Sequence, residues 1–361
     1  MKERIDKVLL FTVIILSIFG LMMIYSSSSI WAEYKFNDSF HYLKYQGVFL
    51  LIGYIVLYIT SKIDYNLYYK YSNKILLVCI ILLILVLIPG IGSIRNGSRS
   101  WFGIGPFGIQ PSEAAKLGLI IFTSKYLTNS SSYIKSYLKG VFPILFITLL
   151  VFGIIMLQPD LGTGLILVVS IISLLFIAGI DIKFFIVAGL IGVVGVVVLI
   201  LIAPYRLNRI TSFINPWNDP LGTGFQIIQS LYAIGPKGLF GTGYLNSIQK
   251  HFYLPEPQTD FIFSIISEEF GVLGSIIVVS LFITILYRGI KISSKSLDHF
   301  AKYLAFGLTF QIIIQAILNL CVVVGLIPVT GVTLPFLSYG GSSLLISMVQ
   351  IGIILNISKN K

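Results

Sequence analysis

Four carboxylates crowd one short stretch of an acid-poor chain. His251–Gly271 reads HFYLPEPQTDFIFSIISEEFG and holds Glu256, Asp260, Glu268 and Glu269, out of only 14 Asp and Glu in 361 residues. Asp260 is followed by Phe261, Ile262 and Phe263, and a carboxylate held among apolar neighbours titrates closer to neutrality, where it can accept a proton as a base. Thr259 and Asp260 also precede an apolar run, as N-cap residues do, so capping is the alternative role for Asp260. Upstream lie Arg206, Arg209, Lys237 and Lys250, and cationic side chains, arginine forks above all, suit phosphate oxygens. A second constellation is QPSEAAKLGL. Glu113 and Lys116 stand three residues apart, so they share one helix face and can pair with each other or with a neighbouring helix. Asp160, in a QPD turn, reads as the N-cap of the following helix. The GTG triplets at Gly222–Gly224 and Gly241–Gly243 read as turn glycines rather than phosphate loops.

The elements that must hold these groups are apolar. With 56% hydrophobic and 11% charged residues and a mean hydropathy of +0.95, the chain has too little polar surface for a water-soluble globule. Ten stretches are apolar enough to suggest membrane spans: Val8–Ile30, Tyr45–Ile59, Ile75–Ile91, Pro111–Leu127, Val141–Leu157, Leu161–Ile180, Phe184–Ala203, Phe261–Tyr287, Tyr303–Ile327 and Ser338–Ile357. The second and fourth are the weakest, being short or charged. No small-residue cleavage site interrupts the first, which reads as a retained helix. The prediction is an all-α polytopic membrane protein of ten transmembrane helices, residues 1–361 forming one domain. Cys79 and Cys321 sit inside apolar runs and form neither a disulfide framework nor a CxxC metal site.

Ten spans put both termini on one side. Of the 25 Lys and Arg, sixteen fall on the N-terminal side, eight on the other and Lys116 within a span, so the positive-inside bias makes both termini cytoplasmic. The net charge of +11 is then a topology signal and not a sign of nucleic-acid binding. One long loop, Pro204 to Asp260, falls outside. It is too aromatic and apolar for a disordered linker. Within it, Phe225, Ile228, Leu231 and Tyr232 have helical spacing, which predicts a short amphipathic helix over Gly224–Ile234 lying along the membrane surface.

The Gly/Pro-rich polar segments, Arg95–Glu113, Gln158–Gly164 and Gly325–Ser343, share this outer face with the loop. Chemistry is therefore expected there, at the membrane boundary, and a base beside phosphate-binding cations suits a lipid phosphate. Counting about 20 residues back from Arg288 puts Glu268 and Glu269 at that boundary. Eight residues of helix turn the chain by about 80°, so Glu268 is expected to face the same cavity as Asp260. Glu269 is expected on the opposite face in a structural role, and Glu256 in the loop.

The strings NGSRSWFGIGPFGIQPSEAAKL, QPDLGTG, LPEPQTDFIFSIISEEFG and PVTGVTLPFLSYGGSS, in this order along ten spans, resemble the SEDS family of FtsW, RodA and SpoVE over essentially the whole chain. LPEPQTDFIF and TGVTLPFLSYGGSS are more similar to the FtsW/SpoVE branch. The resemblance implies a peptidoglycan glycosyltransferase that polymerises lipid II into glycan strands at the outer face of the bacterial cytoplasmic membrane, in division or sporulation. It implies a class B penicillin-binding protein as transpeptidase partner, with other divisome or elongasome membrane proteins, membrane lipid and the nascent glycan strand around it. Asp260 matches the family's essential aspartate, and Glu113 and Lys116 its cavity pair. Arg206, Arg209, Lys237, Glu268, Ser338 and Ser342 complete the expected substrate-binding set. No cofactor is certain; a divalent cation, magnesium or manganese, is the one candidate. The rival readings are a lipid II flippase and a non-catalytic scaffold. Clustering of the unusual residues on one face, without an inverted repeat, favours the enzyme.

Overall fold

A computed structural model of the chain describes residues 5–95, 97–103, 107–130, 136–202, 211–222, 224–235 and 237–359. Arg206 and Arg209 lie outside the described residues. Helices follow all ten apolar stretches: α1 (Lys7–Phe36), α2 (His41–Lys62), α3 (Tyr65–Leu85), α4 (Pro111–Asn129), α5 (Phe142–Met156), α6 (Leu161–Ile177), α7 (Ile182–Ile202), α9 (Ile262–Lys295), α10 (His299–Val323) and α11 (Gly341–Ile357). Between α7 and α9 lies the short α8 (Phe225–Ile234). Among the described residues, six units are long and apolar enough to cross a membrane: α1, α2, α3, Tyr137–Met156, α9 and α10. The shorter apolar helices include α6, α11 and Ile182–Gly195 of α7. α4 carries Glu113, Lys116 and Lys125 within its 19 residues and is less apolar than these.

Two local differences from the sequence reading have clear causes. α3 starts at Tyr65, ten residues before the expected span, because the Asp64 carboxylate caps it by accepting from Asn66 N. The fold is also not purely helical. Ser93–Arg95 (β1) and Ser98–Trp101 (β2) form an antiparallel hairpin with Arg95 opposite Ser98. Its two-residue connection ends on Gly97, whose φ of 79° is a left-handed conformation suited to tight hairpins.

α10 is the hub of the bundle, packing against α4, α6, α9 and α11, while α1 lies on α2 and α9, and α2 on α11. None of the described side chains of α7 is buried. At the far end from the hairpin, the buried Asp6 carboxylate caps α1 at Leu9 N, pairs with Arg288 of α9, and sits beside Ser358, whose Oγ accepts from Asp6 N at 3.1 Å. This knot brings the beginning of α1 and the end of α11 to one end of the bundle.

The predicted surface helix exists as α8, with a different face buried. Ile227, Ile228, Ser230 and Ala233 are buried, whereas Leu231 and Tyr232 are exposed. The reason is docking: Ser230 Oγ lies 2.7 Å from Ser264 Oγ of α9 and donates to Val323 O of α10 at 2.7 Å. α9 itself is broken at Gly271 (φ 62°, ψ −155°). A break leaves helix carbonyls and amides unpaired, and the loop supplies their partners. Thr242 N and Gly243 N donate to Glu268 O and Glu269 O, each at 2.9 Å, while Val272 N and Leu273 N donate to Gly238 O and Leu239 O at 3.3 and 3.2 Å.

Close backbone approach fixes the segment between α10 and α11. A Cβ on Gly20 of α1 would stand 2.4 Å from Phe336 O and 2.7 Å from Leu337 Cα, so only glycine lets this segment seat on α1. Gly20→Ala should destabilise the protein by about 1–3 kcal/mol, the usual cost of overpacking, read as a lower unfolding midpoint of the purified protein in detergent.

Candidate functional site

The polar segments converge on a cavity of about 900 Å³. Its wall takes Arg95 and Trp101 from the hairpin, Gln110 and Glu113 from the start of α4, Asp160 from the turn before α6, Asp260 from the loop before α9, Gln315 from α10, and Thr330–Thr333 and Ser343 from the last connection. Arg95 packs over the Trp101 ring at 4.9 Å from its centroid.

Asp260 lines this cavity, and its position answers the capping question. α9 begins at Ile262 with Phe261 as N-cap, and no side chain caps it. Asp260 is thus outside the helix. Its main chain is held where its carbonyl accepts from Asn319 Nδ2 at 2.7 Å, and a Cβ on Gly331 would come within 3.8 Å of its Oδ2. Gly331 itself adopts φ 77°, a left-handed conformation that favours glycine.

Glu113 and Lys116 pair as their spacing predicts, with Nζ 2.9 Å from Oε1. Pro111 at the first helical position and acidic Glu113 in the first turn fit a helix start, where the dipole favours negative charge. Glu113 lines the cavity, but Lys116 lies behind the wall, 2% exposed, and donates also to Gln315 Oε1 at 2.8 Å. An ammonium with so little access to water needs such partners.

Asp160 is the N-cap of α6, accepting from Thr163 N at 3.0 Å, and it also lines the cavity. Gln110 Nε2 donates to its Oδ2 at 3.0 Å. Desolvation pushes its carboxyl above the ordinary range, against the pull of the Thr163 bonds and the Lys116 charge.

Glu268 does not face the cavity. It is fully buried, accepting from Ser247 Oγ at 2.6 Å, Ile248 N at 3.2 Å and Gln249 N at 3.3 Å, with Lys237 Nζ 3.4 Å away. The expectation failed because the chain is not helical back to Asp260, so the 80° count does not apply. Lys237 is committed to the same carboxylate, away from the cavity wall. Glu269 plays the structural role expected of it, accepting from Ser26 Oγ at 2.6 Å and pairing with Lys250 at 3.2 Å. Glu256 lines the cavity from a turn with φ 44°, and its carbonyl accepts from Thr259 N.

Ser338 and Ser342 fasten backbone instead of lining the wall. Ser338 Oγ accepts from Leu334 N at 2.8 Å; Ser342 Oγ accepts from Gln110 N at 3.0 Å and donates to Gly108 O at 2.9 Å. Ser343, one residue on, lines the cavity. Sequence reasoning missed Gln315 and Asn319. Their signal was present: Gln311, Gln315 and Asn319 recur every four residues inside an apolar stretch, which places three amides on one helix face. Among the described residues no group of three or more His, Cys, Asp and Glu is placed to hold a metal ion.

Fold and site together define a polytopic membrane protein with an acid-lined cavity at one end of its helical bundle. The family model described as cell cycle protein, that of FtsW, RodA and SpoVE, matches residues 6–361, and the chain belongs to this family. It is 51% identical over 358 residues to stage V sporulation protein E of Bacillus subtilis (strain 168), covering 99% of this chain and 98% of that one. It is 42% identical over 353 residues to a probable peptidoglycan glycosyltransferase FtsW of Trichlorobacter lovleyi, covering 98% and 93%. Among solved structures, a chain from a study of "structural coordination of polymerization and crosslinking by a peptidoglycan synthase complex" superposes with a TM-score of 0.82 at 28% identity, covering 98% of each chain. Thermus thermophilus rod shape determining protein RodA superposes with a TM-score of 0.73 at 26% identity, covering 98% of this chain and 97% of that one.

Glu268 gathers one hydroxyl, two amides and an ammonium from the loop. Glu268→Gln should loosen Ser247–Lys250, raising amide hydrogen exchange there by about tenfold, the scale of a lost charge-assisted hydrogen bond, while exchange in α10 stays unchanged.

Proposed function

We propose that the chain is a peptidoglycan glycosyltransferase that polymerises lipid II at the outer face of the cytoplasmic membrane. The observation that carries this reading is the single cavity that joins Asp260 to Glu113, with Lys116 behind the wall. The chain is taken to span the membrane ten times with both termini cytoplasmic, the knot of Asp6, Arg288 and Ser358 lying at the cytoplasmic end. The similarity to stage V sporulation protein E and to FtsW relatives supports a role in septal wall synthesis during sporulation or division. The superposition on a peptidoglycan synthase complex supports a class B penicillin-binding protein as partner.

In the mechanism, the 4-hydroxyl of an incoming lipid II attacks the anomeric carbon of a sugar linked to undecaprenyl pyrophosphate. Asp260 takes the hydroxyl proton as the new glycosidic bond forms, and the anomeric carbon–oxygen bond breaks to release the pyrophosphate. A single in-line displacement inverts an α-linked donor to a β-1,4 linkage. Glu113 faces the substrates as a hydrogen-bond acceptor, and Lys116 contributes positive potential from behind it. Arg206 and Arg209, within the Pro204–Asp260 loop in sequence, are the candidates for the leaving pyrophosphate. The donor is already activated, so no nucleotide enters the reaction.

Asp260→Asn keeps the size of the side chain and removes the base. Polymerisation of lipid II by the purified protein with its transpeptidase should fall by about 100-fold or more, the scale of a lost general base, with folding and partner binding intact. Full polymerising activity in this variant would overturn the assignment. Headgroup translocation in proteoliposomes that survives the change would favour the flippase.

A further inference from the structure

Two amides on α10, one helical turn apart, reach both halves of the cavity. Asn319 Nδ2 donates to Asp260 O and to Val332 O, each at 2.7 Å. Gln315 Oε1 accepts from Lys116 Nζ at 2.8 Å, and its Nε2 donates to Thr333 O at 3.1 Å, with Ser343 Oγ at 3.2 Å. Val332 and Thr333 are neighbours in sequence, so the same pair of amides also stitches the last connection onto the helix. Gln315 is 5% exposed and lines the cavity, whereas Lys116 does not. Gln315 therefore contacts the buried ammonium while lining the space where substrate would sit.

The orientation of the Gln315 amide is set by chemistry. Turned over, its NH2 would face the Lys116 ammonium and its carbonyl would face Thr333 O, replacing two attractions with two repulsions. Lys116 has three N–H donors, and two of them are fixed by Glu113 and Gln315. Those two acceptors fix the ammonium, and Glu113, tied to it through Oε1, lines the cavity.

We infer that Gln315 is a positioning residue of the transferase site: it holds Lys116 behind the wall and thereby aims Glu113 at the sugar-bearing substrate, while Asn319 holds the main chain of Asp260 one turn away. The inference rests on the glycosyltransferase reading for its kinetic consequence but not for its geometry. A general loss of stability is a competing account, and Gln311 separates the two. It lies one turn earlier on α10, is 1% exposed, accepts from Gln350 Nε2 at 2.9 Å, and does not line the cavity.

The experiment compares Gln315→Leu, Gln315→Asn and Gln311→Leu, each purified in detergent, with the native chain and Asp260→Asn alongside. The first readout is methylation of Lys116 by formaldehyde with a borane reductant, followed by mass spectrometry, and it does not depend on activity. Without the amide carbonyl, Lys116 in Gln315→Leu should be methylated several-fold faster than in the native chain, while Gln311→Leu leaves it protected. The second readout is lipid II polymerisation with the transpeptidase present. Gln315→Leu should lower kcat by about tenfold with KM little changed, since a lost positioning contact acts on the transition state more than on ground-state binding. Gln315→Asn, which keeps the amide, should recover part of that loss. Equal Lys116 methylation in Gln315→Leu and the native chain would overturn the positioning role. So would equal kinetic losses in Gln315→Leu and Gln311→Leu. A native chain that fails to polymerise, with Lys116 unmasked only in Gln315→Leu, would instead refute the transferase reading and leave the geometry of Gln315 supported.

Discussion

A lysine ammonium buried in an apolar helical bundle must be coordinated from all sides, and the site is organised around that requirement. Lys116 is 2% exposed, and breaking a buried ion pair by removing one partner costs about 3–5 kcal/mol. Its two acceptors come from different places: Glu113 lies one turn earlier on α4, and Gln315 lies across the interface on α10. Meeting the needs of this one cation therefore brings α4 and α10 into register. It also leaves a carboxylate and an amide, both committed, facing the cavity.

The loop over the site is held by a second set of obligations. A helix broken at Gly271 has carbonyls and amides to satisfy, and the loop backbone at Gly238, Leu239, Thr242 and Gly243 pairs with them. Glu268 and Glu269 then accept from the hydroxyls, amides and ammonium groups of Ser26, Ser247, Ile248, Gln249, Lys237 and Lys250. These carboxylates fix the loop to α9 and α1. With the loop fixed, the chain enters α9 through a turn that leaves Asp260 outside the helix and on the cavity wall.

Much of this was legible in the residues. Apolar stretches located the helices, the three-residue spacing located the Glu113–Lys116 pair, and Asp160 stood where an N-cap should. The hairpin at Ser93–Trp101 was not legible, because six paired residues between long apolar runs carry too short a pattern to register. Glu268 was misplaced because a helical phase was extended through Asp260, whereas α9 starts at Ile262. For α8, periodicity marked the helix, but the buried face was chosen by Ser230 bonding to α9 and α10.

The sequence by itself determined the class of protein, the position of its helices and the identity of the acids that crowd one end, since these follow from composition and local spacing. Only the tertiary structure decided which acids are spent on holding the fold and which face the cavity. An acid's role is set by the groups that reach it and its partners, and those come from far along the chain: Ser26 donates to Glu269, Gln315 accepts from Lys116, the partner of Glu113, and Asn319 donates to the main-chain carbonyl of Asp260. No local pattern encodes which of these partners will meet. The packing of α1, α4, α9 and α10 does.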